Sequence, residues 1–125
     1  MLAIPEVVLI VDDDAAVRAA LKFALEVEGF RVQLYDGAQA VLADTNLPKH
    51  GCLVVDYRMP GIDGIELVRR LRHKNVSLPA ILISARVNDQ LRNRAAESGL
   101  TCVLEKPLSD AALVENIRGV LNAPV

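Results

Sequence analysis

Three short apolar runs constrain this chain most, because each stops abruptly at a polar residue. Val7-Val8-Leu9-Ile10-Val11 ends at Asp12, Cys52-Leu53-Val54-Val55 ends at Asp56, and Ala80-Ile81-Leu82-Ile83 ends at Ser84. Such runs are too short for a buried helix and rich in β-branched side chains. They predict strands covered on both faces. Arg31-Val32-Gln33-Leu34-Tyr35 instead alternates polar and apolar residues, which predicts an edge strand wet on one side. Cys102-Val103-Leu104 is short and suits the opposite edge.

Helical patterns lie between the strands. Val17, Ala20, Leu21, Ala24 and Leu25 form one apolar stripe at helical spacing. Ala38, Val41 and Leu42 mark a shorter second helix, Ile65, Val68 and Leu71 a third, and Leu113, Ile117, Val120 and Leu121 the last. The fourth, near Asn88 to Ser98, has only Leu91 and Ala95 as apolar anchors, so it is the element most able to move. Alternating strands and helices with short connections predict an α/β fold with a parallel sheet. Right-handed crossovers and the two edge signatures give a doubly wound five-stranded sheet, order 2-1-3-4-5, with helices on both faces.

The 125 residues predict one domain spanning 1–125. At 52% apolar and 24% charged, the chain is neither disordered nor a disulfide miniprotein. A net charge of −2 disfavours direct nucleic-acid binding. No apolar run approaches the ~18 residues of a membrane span. Met1 to Glu6 carry no basic region, so no secretory leader is expected, and the expected location is cytoplasmic. No linker is expected after the last helix, before Ala123-Pro124-Val125. Cys52 and Cys102, both in apolar runs, are expected to be buried free thiols.

In a sheet of this type ligands bind at the carboxyl ends of the strands. Those ends carry Asp12-Asp13-Asp14, Asp56, Ser84 and Glu105-Lys106-Pro107, so one rim gathers several carboxylates, a hydroxyl and an ammonium. Close carboxylates raise each other's pKa unless a cation sits among them. An oxygen-only site of this size suits Mg²⁺, which keeps several waters and shares ligands with phosphate. One aspartate suffices to cap the first helix, and Asp14 is best placed for it. Asp63 is expected to cap the third helix. Asp56, taken alone, opens a Pro/Gly turn. Taken with the rest of the rim, it is a carboxylate nucleophile for a phosphoryl group. Lys106 could grip a phosphoryl oxygen, and Ser84 could hydrogen-bond one.

Val8 to Asp14, the stretch Val54-Val55-Asp56-Tyr57-Arg58-Met59-Pro60-Gly61-Ile62-Asp63-Gly64, Ile83-Ser84-Ala85 and Leu104-Glu105-Lys106-Pro107 stand in order along the chain. In them the chain resembles the receiver (CheY-like, flavodoxin-like) domain of bacterial two-component response regulators. The run from Met59 to Leu71 is similar to the nitrogen-fixation and LuxR-type subgroup. The resemblance implies that Asp56 is the phosphoacceptor and that a sensor histidine kinase is the donor. It implies Mg²⁺ held directly by Asp13, Asp56 and the Arg58 carbonyl, with Asp12 acting largely through water. Lys106 would bind the phosphoryl group, with a cis bond to Pro107, and Ser84 would be the switch hydroxyl. The fourth helix, fifth strand and fifth helix would carry the output to an output domain or effector. Such a chain is an acceptor with possible autodephosphorylation, not a turnover enzyme.

The sequence departs from the family pattern at Val103, where an aromatic three residues before the lysine is usual, and at Leu108, where an aromatic is common. Val103 has no ring to swing, so output is expected to rely on the loop after Ser84 and on the fourth helix. Arg58 and Arg86, two residues beyond Asp56 and Ser84, are expected to flank the phosphoryl pocket and tune access of water. Other classes stay open. A pseudo-receiver would act by protein contacts alone. A Mg²⁺-dependent phosphatase would want a general acid where Arg58 stands. A flavin protein would need a phosphate-cradling loop where Asp12-Asp13-Asp14 would repel the ligand.

Overall fold

The computed structural model describes residues 6–122. The readings at Met1–Pro5 and at Ala123-Pro124-Val125 lie outside them. Ten elements alternate: β1 (Val7–Val11), α1 (Ala15–Val27), β2 (Arg31–Tyr35), α2 (Ala38–Ala43), β3 (Cys52–Asp56), α3 (Gly64–His73), β4 (Ala80–Ser84), α4 (Asp89–Glu97), β5 (Cys102–Glu105) and α5 (Asp110–Leu121). All strand pairs are parallel, in the expected order β2-β1-β3-β4-β5. Among the described residues, no helix is long and apolar enough to cross a membrane.

The continuous apolar runs are explained by two cores, one on each sheet face. Leu9, Val11, Leu53, Val55, Ala80 and Leu82 point into the layer that holds α2, α3 and α4. Their neighbours Val8, Ile10, Cys52, Val54, Ile81 and Ile83 point into the layer of α1 and α5. Side chains alternate along a strand, so only an uninterrupted apolar run fills both layers.

Three details differ from the sequence reading. On β2, Val32 and Tyr35 pack into opposite layers, and Leu34 is left 38% exposed, so this edge has no cleanly wet side. On α1 only Leu25 is fully buried, and Ala20 lies in solvent. The outer face of α1 exposes Phe23 (73%) and Val27 (70%), which lie opposite the inward stripe. Cys102 is half-buried rather than buried. Both thiols are free, and burial pushes the Cys52 thiol up to about 12. The fourth helix matches expectation: Leu91 and Ala95 are its buried residues.

Gly64, the first residue of α3, lies against the end of β3. A Cβ there would stand 2.6 Å from the Asp56 carbonyl oxygen and 2.9 Å from side-chain atoms of Leu82 and Val55. Backbone cannot yield as a flexible side chain can. Gly64→Ala therefore lowers the unfolding free energy by ~2 kcal/mol, an overpacking cost. Gly119→Ala, in α5 with nothing near the added carbon, raises it by ~0.5–1 kcal/mol. Urea unfolding of the two variants checks the opposite signs; equal shifts would contradict the close approach at β3.

Candidate functional site: an acidic rim with one lysine

The parallel register carries four strand ends to one rim. After β1 the chain turns at Asp12, whose Oδ1 accepts the Asp14 N–H at 2.9 Å. Asp14 caps α1, accepting the N–H groups of Ala16 (2.9 Å) and Val17 (3.2 Å). Arg18 reaches back from α1 and donates to the Asp12 carbonyl at 2.8 Å. One residue of the three therefore caps, and the turn leaves Asp12 and Asp13 at the rim. Asp63 caps α3 in the same way, accepting the Glu66 N–H at 2.8 Å.

The rim brings Asp12, Asp13 and Asp56 together, with one carboxylate oxygen of each within 4.8 Å of the others. Asp12 is buried (6% exposed), Asp56 half-buried and Asp13 exposed. Lys106 Nζ donates to Asp56 Oδ1 at 3.1 Å. The Lys106–Pro107 bond is cis, as expected. Burial raises the Asp12 pKa above its ordinary 3.8; the Asp14 N–H opposes this, and the Asp56 carboxylate adds to it. The donor set is hard oxygen throughout, and the buried Asp12 carboxyl faces surplus negative charge. Those residues fit a small divalent cation such as Mg²⁺.

Ser84 is buried at the end of β4. Its hydroxyl donates to the Arg86 carbonyl at 2.9 Å and accepts the Arg86 N–H at 3.3 Å. The hydroxyl is thus engaged by its own loop, not by Asp56. The Lys106 N–H donates to the Ser84 carbonyl at 2.9 Å, which ties the lysine to the same strand end.

Arg58 and Arg86 do not line the cavity that holds Asp56 and Lys106. They share a separate cleft of about 270 Å³ with Tyr57, Asn88 and Arg94. Sequence reasoning missed the contact that closes this cleft: Arg94 of α4 donates to the Tyr57 hydroxyl at 3.1 Å. It also lies 4.0 Å from Asp63. Tyr57 directly follows Asp56, and only that adjacency could have drawn attention to it. Val103 is buried in the α4 layer, where it fills space without a polar handle.

The raised Asp12 pKa has a definite sign in stability. In the window above 3.8 the folded chain holds a proton that the unfolded chain has released. Stability from this group therefore falls as pH rises through that window and is recovered as pH falls. Asp12→Asn keeps the oxygen that accepts from Asp14 and removes the charge. Without divalent cation, the variant is more stable than wild type at pH 7, and its advantage vanishes towards pH 3. Thermal unfolding across pH in chelator tests this; an advantage independent of pH would contradict it.

Comparisons place these features. Residues 8–118 match the response regulator receiver domain family. Over 114 residues the chain is 38% identical to the transcriptional regulatory protein FixJ of Bradyrhizobium diazoefficiens, covering 91% of this chain and 56% of that protein. It is 40% identical over 116 residues to the C4-dicarboxylate transport transcriptional regulatory protein DctD of Pseudomonas aeruginosa, covering 91% of this chain and 25% of that one. The chain thus spans about half the length of the FixJ relative and a quarter of DctD. The crystal structure of FixJ-N is similar with a TM-score of 0.87 at 33% identity, over 98% of both chains. The chemotaxis protein CheY4 of Vibrio cholerae, at 22% identity and a TM-score of 0.88, covers 94% of this chain and 100% of its own and shares the fold. Receiver domains work with histidine kinases and output domains, and generally bind Mg²⁺ at an acidic pocket. This chain belongs to the response regulator receiver domain family, signalling domains that accept a phosphoryl group on an aspartate.

Proposed function

We propose that Asp56 is the phosphoacceptor of this chain, with a sensor histidine kinase as donor and residues 1–125 acting as one receiver domain. The observation that carries the reading is the Lys106 ammonium 3.1 Å from Asp56 Oδ1, beside three clustered carboxylates. A phosphoryl acceptor needs positioning and charge neutralisation more than covalent machinery. Asp56 is held by β3 at the rim, and Lys106 offers its ammonium to a phosphoryl oxygen once one arrives. The Asp56 oxygen forms the new bond to phosphorus as the bond to the donor breaks, so the donor leaves with its electron pair.

Asp13, Asp56 and the Arg58 carbonyl would hold Mg²⁺ directly, and Asp12 largely through water. When bound, the ion neutralises charge on the phosphoryl oxygens and relieves repulsion among the carboxylates. Ser84 must exchange its Arg86 partners for the phosphoryl group. That exchange pulls on the loop leading to α4, and it biases the surface formed by α4, β5 and α5. The chain is an acceptor that recovers by hydrolysis, not a turnover enzyme. An output domain or effector, matching the transcriptional regulators among the relatives, and a cytoplasmic location complete the reading.

Intact mass after incubation with a small phosphodonor tests it. Wild type gains one phosphoryl group with Mg²⁺ and none without it, while Asp56→Asn gains none. No gain in wild type, with Mg²⁺ binding demonstrated, would favour a pseudo-receiver that works through protein contacts alone. Lys106→Met slows the gain at least ~10-fold, as loss of a charge aimed at the transferring group predicts. Arg58→Ala and Arg86→Ala change the lifetime of the phosphorylated form, since both cations face the cleft beside the acceptor. Unchanged lifetimes in both variants would remove the arginines from the reaction. Amide exchange in residues 85–99 differs between the two forms; identical exchange would reject α4 as the moving element.

A further inference from the structure

Behind the rim, between the sheet and the first turns of α1 and α5, lies a cavity of about 490 Å³. Its walls are apolar: Ile10, Val54 and Ile83 from the sheet, Leu21 from α1, and Leu108 and Leu113 on the α5 side. Its polar edge carries Asp12, Asp56, Lys106 and Asp110. Size and lining match sites that take a small organic molecule, an apolar hollow with a few converging polar groups.

Charge selects the kind of molecule. Lys106 is already engaged by Asp56 at 3.1 Å. The Ser109 hydroxyl, which also borders the cavity, accepts the Ala112 N–H and caps α5. The edge therefore holds three carboxylates against one ammonium. An anion would meet net negative charge there, and a neutral molecule would leave that charge uncompensated. A cationic head pairs with it while an apolar body displaces water from the walls.

We infer that this cavity binds a small organic monocation, with a hydrophobic body between α1 and α5 and an ammonium or amidinium head among Asp12, Asp56 and Asp110. Its head shares Asp12 and Asp56 with the proposed divalent-cation site, so the two compete, and the bound molecule opposes phosphorylation. The competition rests on the metal site proposed above; the binding itself does not.

The test uses 2-phenylethylamine and its anionic counterpart 3-phenylpropanoate, titrated in chelator into chain with labelled methyl groups. The amine shifts the Leu21, Leu108 and Leu113 methyls saturably, and the carboxylate does not. Leu108→Phe fills the cavity from one wall and weakens the amine at least ~10-fold by exclusion of its ring. Leu21→Phe fills it from the other wall and serves if the first variant does not fold. Asp110→Asn weakens the amine several-fold while leaving the rim aspartates in place. No saturable shift at these methyls, equal binding of the carboxylate, or undiminished binding in a folded filled variant overturns the site. Mg²⁺ displaces the amine if both readings hold. Amine binding that ignores Mg²⁺ leaves the cavity site standing and counts against the metal site.

Discussion

The rim depends on one constraint: like charges are held together by apolar strands that cannot move apart. Asp12 follows β1 and Asp56 ends β3, and the two strands pair in register from Val8 with Cys52 to Val11 with Val55. Both strands are buried on both faces, so neither can slide or splay without exposing a core. The carboxylates therefore stay close despite their repulsion. Lys106, just beyond β5, compensates one of them, and Asp12, pressed into low dielectric, retains the cost in its raised pKa. An uncompensated charge in a rigid frame is relieved by a bound proton or an arriving cation rather than by the strands moving apart.

The opposite holds on the α4 side. The Ser84 hydroxyl bonds the Arg86 backbone, and Arg94 bonds the Tyr57 hydroxyl, so polar contacts connect the rim to that helix's neighbourhood. Arg94 is exposed, and α4 buries only Leu91 and Ala95. Little stability is lost when such a helix shifts. Rigid strands beside a weakly anchored helix let a change at the rim be felt without disturbing the cores. Val103 has no ring to swing, and the aromatic side chain that meets α4 beside Asp56 is Tyr57, which accepts from Arg94. This contact was illegible in the sequence, because Tyr57 and Arg94 are far apart in the chain and meet only through side-chain rotamers.

What was legible follows a physical rule. Apolar runs interrupted by single polar residues are written in the local sequence, so β1, β3 and β4, and with them the positions of Asp12, Asp56 and Ser84, could be read directly. Caps are equally local, and Asp14 and Asp63 bond where their spacing places them. The second strand was harder, because an edge strand's faces depend on what covers them. Tyr35 finds Asp44 for its hydroxyl at 2.7 Å and is buried, while Leu34 is not. Phe23 and Val27 escaped notice because the inward stripe of α1 accounts for a helix without them. Arg58 and Arg86 line the cleft on the α4 side of Asp56 rather than the cavity between α1 and α5. The cavity between α1 and α5 is space that Leu21, Leu108 and Leu113 do not fill, and its one trace in the sequence is Leu108 where an aromatic is common.

The two hollows beside Asp56 are chemically opposed, and this bears on how one modification could act in two directions. The α1–α5 cavity is apolar with an acidic edge, whereas the α4 cleft holds Arg58, Arg86 and Arg94. On the proposed reading, phosphorylation replaces the single charge of Asp56 with roughly two at ambient pH. The added charge attracts the three guanidinium groups towards the rim and competes with Asp63 and Tyr57 for Arg94. It also draws Lys106 from the Asp56 carboxylate to the phosphoryl oxygens, altering the edge of the opposite cavity. One anion thus tightens the arginine side through attraction and reshapes the acidic side through the lysine. The asymmetry of charge around a single acceptor supplies a direction of movement that the apolar residue at position 103 does not.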